Sequence, residues 1–220
     1  MSHRPADDPL LDAAVDCVLA VGVRRTTLTD VARRAGVSRM TVYRRFPDVT
    51  ALLQALMTRE FARLIADAEA EATGGATERE QLALLVPEGA ERLCGHPLFQ
   101  RILDVDPELL HPYVFQRLGA FQRLVLDGLA HRIARGQEDG SIRPGDPRTL
   151  AAALELLVRG YVLSARAEDP DGRRAAVGAL LPALVDGLLH PAGASGKAEA
   201  AARADAGTGA GAPAGAEVAR

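Results

Sequence analysis

The sequence predicts an all-α protein, and three observations carry that reading. Aromatic residues make up only 4% of the chain and Trp is absent, whereas strands draw on aromatic and β-branched residues. Ala, Leu and Arg, all strong helix formers, abound instead. Apolar residues recur three and four positions apart between capping residues and Gly or Pro stops, the signature of amphipathic helices. With 48% hydrophobic and 25% charged residues over 220 positions, the chain can bury a core of ordinary size.

The first helix is predicted from Asp8 as N-cap and Pro9 at the first helical position, where a missing N–H costs nothing. Leu11, Val15, Val18 and Leu19 follow at helical spacing, and Gly22 stops it. Thr27 and Asp30 make a capping-box-like start for a short helix that ends near Ala35, with Gly36 beyond it. Ser38 caps the next, with Val42 and Phe46 on one face. Pro47 ends that helix and Asp48 caps a long fourth one, whose stripe is Leu53, Met57, Phe61, Leu64 and Ala68. Further helices are expected at 77–94, kinked or split at Pro87, at 97–104, from Pro107 to Gln137, at 147–167 and at 171–189. Leu154, Leu157 and Tyr161 mark one of the last two. Val177, Leu181, Leu184 and Leu188 mark the other, and these stripes fit either an internal core or pairing with a second copy. Residues 1–8 read as a mobile arm.

From Pro191 onward Ala and Gly dominate, and such a segment cannot bury enough surface to offset its ordering entropy, so 191–220 is expected to be disordered. Its stretch from Gly207 to Ala212 matches the dinucleotide-binding glycine pattern formally. It lacks the preceding strand and following helix which that pattern needs.

Charge is unevenly placed. Lys197 is the only lysine, so Arg supplies every other fixed positive charge. Between Arg24 and Asp48, seven arginines (24, 25, 33, 34, 39, 44 and 45) face only Asp30 and Asp48, a net charge of +5, while the rest of the chain carries −8. A short basic segment on an acidic body is a localised footprint for a polyanion. No apolar run approaches 18 residues and no signal-peptide pattern opens the chain, so a cytoplasmic protein without a membrane partner is expected. Cys17 and Cys94 offer neither a disulfide framework nor metal spacing, and read as buried small hydrophobes. His96, His111 and His190 each precede Pro and mark loops or helix ends. No metal or cofactor site is expected.

The segment Thr27–Phe46 reads TLTDVARRAGVSRMTVYRRF. Val31, Ala32 and Ala35 can pack closely, Gly36 takes the turn, and Val37 fills the space between the two helices. The second helix hides only Val42 and Phe46 and turns Arg39, Met40, Thr41, Tyr43, Arg44 and Arg45 outward. A helix of that width fits the DNA major groove with its N-terminal residues toward base edges.

This segment resembles the TetR (tetracycline-repressor-like) family, through Thr27, Val31, Ala32, Ala35, Gly36, Val37, Ser38, Thr41, Tyr43 and Phe46 in register. The remaining helices resemble that family only in count and order. The resemblance implies an N-terminal helix-turn-helix domain over residues 1–50 and a helical effector-binding and dimerisation domain over 51–190. It implies phosphate contacts for Thr27 and Tyr43, base contacts for Arg39, Met40 and Thr41, and either for Arg44. It also implies a homodimer on a palindromic operator in double-stranded DNA, released by a small-molecule effector. Two departures stand out: Val49 where the family commonly has Lys on a phosphate, and Met40 where Gly is frequent, which favours apolar contact such as a thymine methyl.

Candidate effector contacts in the body are Phe99, Ile102, Leu103, Phe115, Leu118, Phe121, Gln122 and Tyr161. Rival readings are a helix-turn-helix that serves protein contacts and a small-molecule-converting enzyme. The basic 24–48 segment speaks against the first, since a protein-binding surface of that size would be more apolar. The absence of a nucleophile elbow, a zinc-protease motif or a phosphate loop speaks against the second.

Overall fold

The computed structural model describes residues 8–111, 118–164 and 172–191. Among them the chain is helical, with no strand: α1 Pro9–Val21, α2 Leu28–Arg34, α3 Arg39–Arg45, α4 Val49–Glu71, α5 Glu78–Gly95, α6 Pro97–Val105, a 3-10 turn Pro107–Leu110, α7 Ala120–Glu138, α8 Pro147–Ser164 and α9 Arg173–Leu189. The all-α fold class stands. The arm at 1–7, Phe115 and the Ala/Gly-rich segment from residue 192 lie outside the described residues.

Local chemistry sets the first three helices as the sequence predicts. Asp8 accepts the amides of Leu10 and Leu11, with Pro9 at the first position. Thr27 accepts the Asp30 amide and Ser38 the Thr41 amide, each satisfying a donor that a helix start leaves open. Gly22 (φ 85°) and Gly36 (φ 68°) adopt backbone angles that other residues enter only with strain.

Two expectations are corrected. α5 is not split at Pro87, being one helix from Glu78 to Gly95. Pro removes one backbone hydrogen bond, but α5 packs against α4, α6, α7, α8 and α9, and that burial holds the helix together across the gap. The single helix expected from Pro107 to Gln137 is not formed either. The 3-10 turn ends at Leu110, and α7 starts afresh after Gly119, whose extended backbone opens the helix while its amide donates to the Gln122 side chain at 2.8 Å.

Three apolar clusters fill the interior. The first joins α1, α2 and α3 through Val18, Val31, Val42 and Phe46, and takes in Leu52 and Leu56 of α4 and Leu98 and Ile102 of α6. The second gathers Phe61, Cys94, Phe99, Tyr161 and Leu181. The third, at the far end, holds Leu82, Ile133, Leu154, Val185 and Leu189. In α4 the register of the buried face differs from the expected stripe: Leu52 and Leu56 are fully buried, while Leu53 and Met57 are only partly covered and face a cavity.

Candidate nucleic-acid interface and ligand cavity

The face that α3 leaves open follows from what it buries. Val42 is fully buried and Phe46 is 6% exposed, so this pair supplies the buried apolar anchor of the helix. Arg39, Met40, Tyr43, Arg44 and Arg45 are exposed, Met40 at 76%. Thr41 is half-buried, its hydroxyl 2.9 Å from that of Ser38. Thr27 lies at the start of α2, exposed, its hydroxyl donating to Asp30 at 2.6 Å.

The seven arginines of the basic segment divide into two groups. Five are committed within the chain. Arg24 pairs with Glu108 at 2.5 Å and approaches Asp106 at 3.7 Å. Arg25 donates to the Val21 carbonyl at 2.8 Å. Arg33 pairs with Asp30 at 2.7 Å and Arg34 with Asp16 at 3.1 Å. Arg45 forks onto Asp8 and lies over the Phe46 ring, 5.1 Å from its centroid. Arg39 and Arg44 have no acidic partner among the described residues. The segment's positive charge without an acidic partner among the described residues lies on Arg39 and Arg44 of α3 and on Arg25, whose partner is a neutral carbonyl. Burial alone would push the Asp8 carboxyl up, but the Arg45 hydrogen bond and charge, with the Leu10 and Leu11 amides, bring it below its ordinary range.

α1 connects this face to the body at both of its ends. At its N-terminus, buried Arg59 of α4 reaches Asp12 at 2.8 Å and the Asp8 carbonyl at 3.2 Å. Beyond its C-terminus, the Val23 amide donates to the buried Asp106 carboxylate at 2.7 Å. A side chain on Gly22 would meet Val105 at 2.8 Å, so the loop is seated closely on the end of α6. Val49, where a family lysine was expected, packs half-buried against the first cluster.

A cavity of about 950 Å³ lies in the body. α4, α5, α6, the 3-10 turn, α7 and α8 contribute to its wall, which also includes Val23 from the α1–α2 loop. Of the expected effector contacts, Phe99, Ile102, Leu118, Phe121 and Gln122 face it. Leu103 does not, and packs into the second cluster. Tyr161 does not either: its hydroxyl donates to Glu91 and Arg174 lies over its ring. Neither expected contact lies on the cavity wall: α6 contributes Phe99 and Ile102 to it, and α8 contributes Glu155 and Arg159 rather than Tyr161. Burial, with the Glu91 bond behind it, pushes the Tyr161 phenol up to about 12. Leu53 and Met57 of α4 were read as core and turn out to line the cavity. The sequence signal for this was present, since α4 carries apolar residues at both 52/56 and 53/57, a band wider than one buried stripe needs.

A narrow basic helix anchored by two hydrophobes, set on a helical body with an internal cavity, defines the class of one-component helix-turn-helix regulators. The family model of bacterial regulatory proteins of the tetR family matches residues 10–56. An uncharacterised HTH-type transcriptional regulator of Mycobacterium tuberculosis is 39% identical over 171 residues, 77% of this chain and 87% of the relative. The chain belongs to the TetR family and is a DNA-binding transcriptional regulator. Solved structures share the fold: SmeT of Stenotrophomonas maltophilia bound to triclosan (TM-score 0.58, 23% identity, 84% of this chain and 91% of the other), and FadR of Bacillus subtilis bound to stearoyl-CoA (TM-score 0.56, 20% identity, 83% and 98%).

Proposed function

We propose that the protein is a homodimeric repressor that holds a palindromic operator through α3 and releases it when a small molecule fills the cavity. The observation that carries this reading is the charge partition: Arg39 and Arg44, both on α3, keep their charge for an external partner, while Arg24, Arg33, Arg34 and Arg45 are paired with carboxylates and Arg25 is held on the Val21 carbonyl. Arg39, Met40 and Thr41 read base edges near the helix start. Thr27, Tyr43 and Arg44 grip phosphates and fix the register without reading sequence.

Exposed Leu156 of α8 and Val177, Leu180 and Leu184 of α9 form the face on which a second copy packs. Two copies set two recognition helices about one duplex turn apart, hence the palindrome. The cavity touches Val23, and its α4 and α6 walls hold α1 at either end. An occupant that favours a different spacing of the recognition helices shifts the equilibrium away from DNA, as only differential affinity can. Triclosan and stearoyl-CoA in complexes of two proteins of the same fold support a small-molecule ligand for this one. The site works by binding rather than catalysis, in the cytoplasm, where the DNA is.

Selection of bound sequences from random duplexes, followed by a salt titration on the selected site, tests the reading. A two-fold-symmetric consensus and an affinity that falls steeply with salt are expected. Failure to enrich any duplex at low salt would overturn it.

A further inference from the structure

We propose that the cavity takes a long, unbranched aliphatic chain with an anionic head, a fatty acid or its acyl thioester, and that Gly89 and Gly128 set the width of its bed. The inference rests on the cavity being the effector site and narrows what fills it.

Shape is the first argument. The wall follows α4 from Thr50 to Glu69 and α7 from Ala120 to Arg135, a length on the order of 25 Å at the helical rise per residue. The lining thus runs along most of two long helices rather than around one point.

Its chemistry agrees. Leu53, Met57, Ile65, Val86 and Leu110 supply an aliphatic lining. The three phenylalanines on the wall pack on one another, Phe61 lying 6.2 Å from Phe99 and 4.7 Å from Phe121, which leaves little flat ring surface for a planar ligand. Of the wall's arginines, 132 and 135 pair with Glu78 and 159 with Glu155, whereas Arg123 has only the neutral Leu118 carbonyl and is the cation on the wall that can meet a negative head.

The glycines are the third argument. Glycine inside a helix is unfavourable against alanine, so it calls for a reason. Gly136 has one, since an added Cβ would meet Ile142 at 2.4 Å. Gly89 of α5 and Gly128 of α7 have neither a positive φ nor any atom within 4 Å of an added Cβ, and both line the cavity. At half-buried Gly89 the space its missing side chain leaves is cavity space, and at Gly128, which is exposed, it widens the cavity's open side. Gly160 and Gly187 are also open in this sense but do not border the cavity, and lie on the helices assigned to the second copy.

Calorimetric titration of delipidated protein with hexadecanoate, its coenzyme A thioester and octanoate tests this, alongside Gly89→Leu and Gly128→Leu. At least one sixteen-carbon probe is expected to bind tenfold or more tightly than octanoate, and comparison of the two separates free acid from thioester. Each leucine variant is expected to bind that probe at least tenfold more weakly, with a Tm equal to or above the parent. If a leucine lowers Tm, the Gly89→Ala/Gly128→Ala double variant takes its place, with a raised Tm and severalfold weaker binding expected. The proposal is overturned if neither long-chain probe binds, or if stably folded variants bind as the parent does. A protein that enriches a duplex yet ignores both probes remains a regulator and loses only this ligand class.

Discussion

At the scale of single residues, function depends on which charges the fold leaves uncompensated. Arg39→Ala is expected to weaken operator binding and to relax preference at one base pair, by about 1–3 kcal/mol. Binding to the selected site and its single-base variants measures both effects. Arg33→Ala removes a cation already paired with Asp30 and is expected to leave base preference unchanged. His96 supplies a different residue-scale test. Burial holds its imidazole below the ordinary 6.5, with Glu60 partly opposing the shift, and its Nδ1 has no hydrogen-bond partner. The unfolded chain therefore binds a proton at His96 where the folded chain does not. This contribution is intact above pH 6.5 and is lost as pH falls toward the lower folded value. Tm is expected to drop between pH 7 and pH 5, and His96→Gln to make that drop shallower; an unchanged slope would remove His96 as the cause.

At the scale of elements, α1 is the link between cavity and DNA face. Asp106→Ala leaves the Val23 amide buried without its acceptor and is expected to cost about 1–3 kcal/mol. Denaturant titration reads the loss, and faster exchange of the Val23 amide locates it. How far elements were legible in the sequence depended on range. Helices α1 to α3 could be read because their signals are local: Asp8, Thr27 and Ser38 cap the helices they precede, and Gly22 and Gly36 stop chain segments within a few residues. The break before α7 was also written locally, in Gly119 followed by Gln122, but an unbroken apolar pattern on either side masked it. Pro87 misled in the opposite direction, since what keeps α5 whole is its burial among five other helices. The Val23–Asp106 bond joins residues 83 positions apart, and no local pattern announces it.

At the scale of the whole molecule, the same distinction separates interior from cavity. Expected effector contacts such as Phe99 on α6 and Phe121 and Gln122 in the first turn of α7 do face the cavity. Tyr161 was misassigned because which of the α8 faces turns inward is decided by the packing of α5 and α9 against it. Leu53 and Met57 were assigned to the core because an apolar residue beside a cavity has the same pattern as one in a packed interior. The exposed Val177, Leu180 and Leu184 of α9 belong to this scale too. Leu180→Glu with Leu184→Glu is expected to shift sedimentation from dimer to monomer and to weaken operator binding, because one recognition helix then acts alone; a dimer unchanged in mass would place the interface elsewhere.

Salt dependence of operator affinity tests the central claim most directly, compared between the parent, Arg44→Ala and Arg34→Ala. Each phosphate contact contributes about 0.9 to the slope of log affinity against log salt. If α3 holds the uncompensated charge, Arg44→Ala lowers the slope by about 1 per protomer, while Arg34→Ala, whose cation is paired with Asp16, leaves it unchanged. Equal slopes for parent and Arg44→Ala, or a larger loss from Arg34→Ala, would contradict the account.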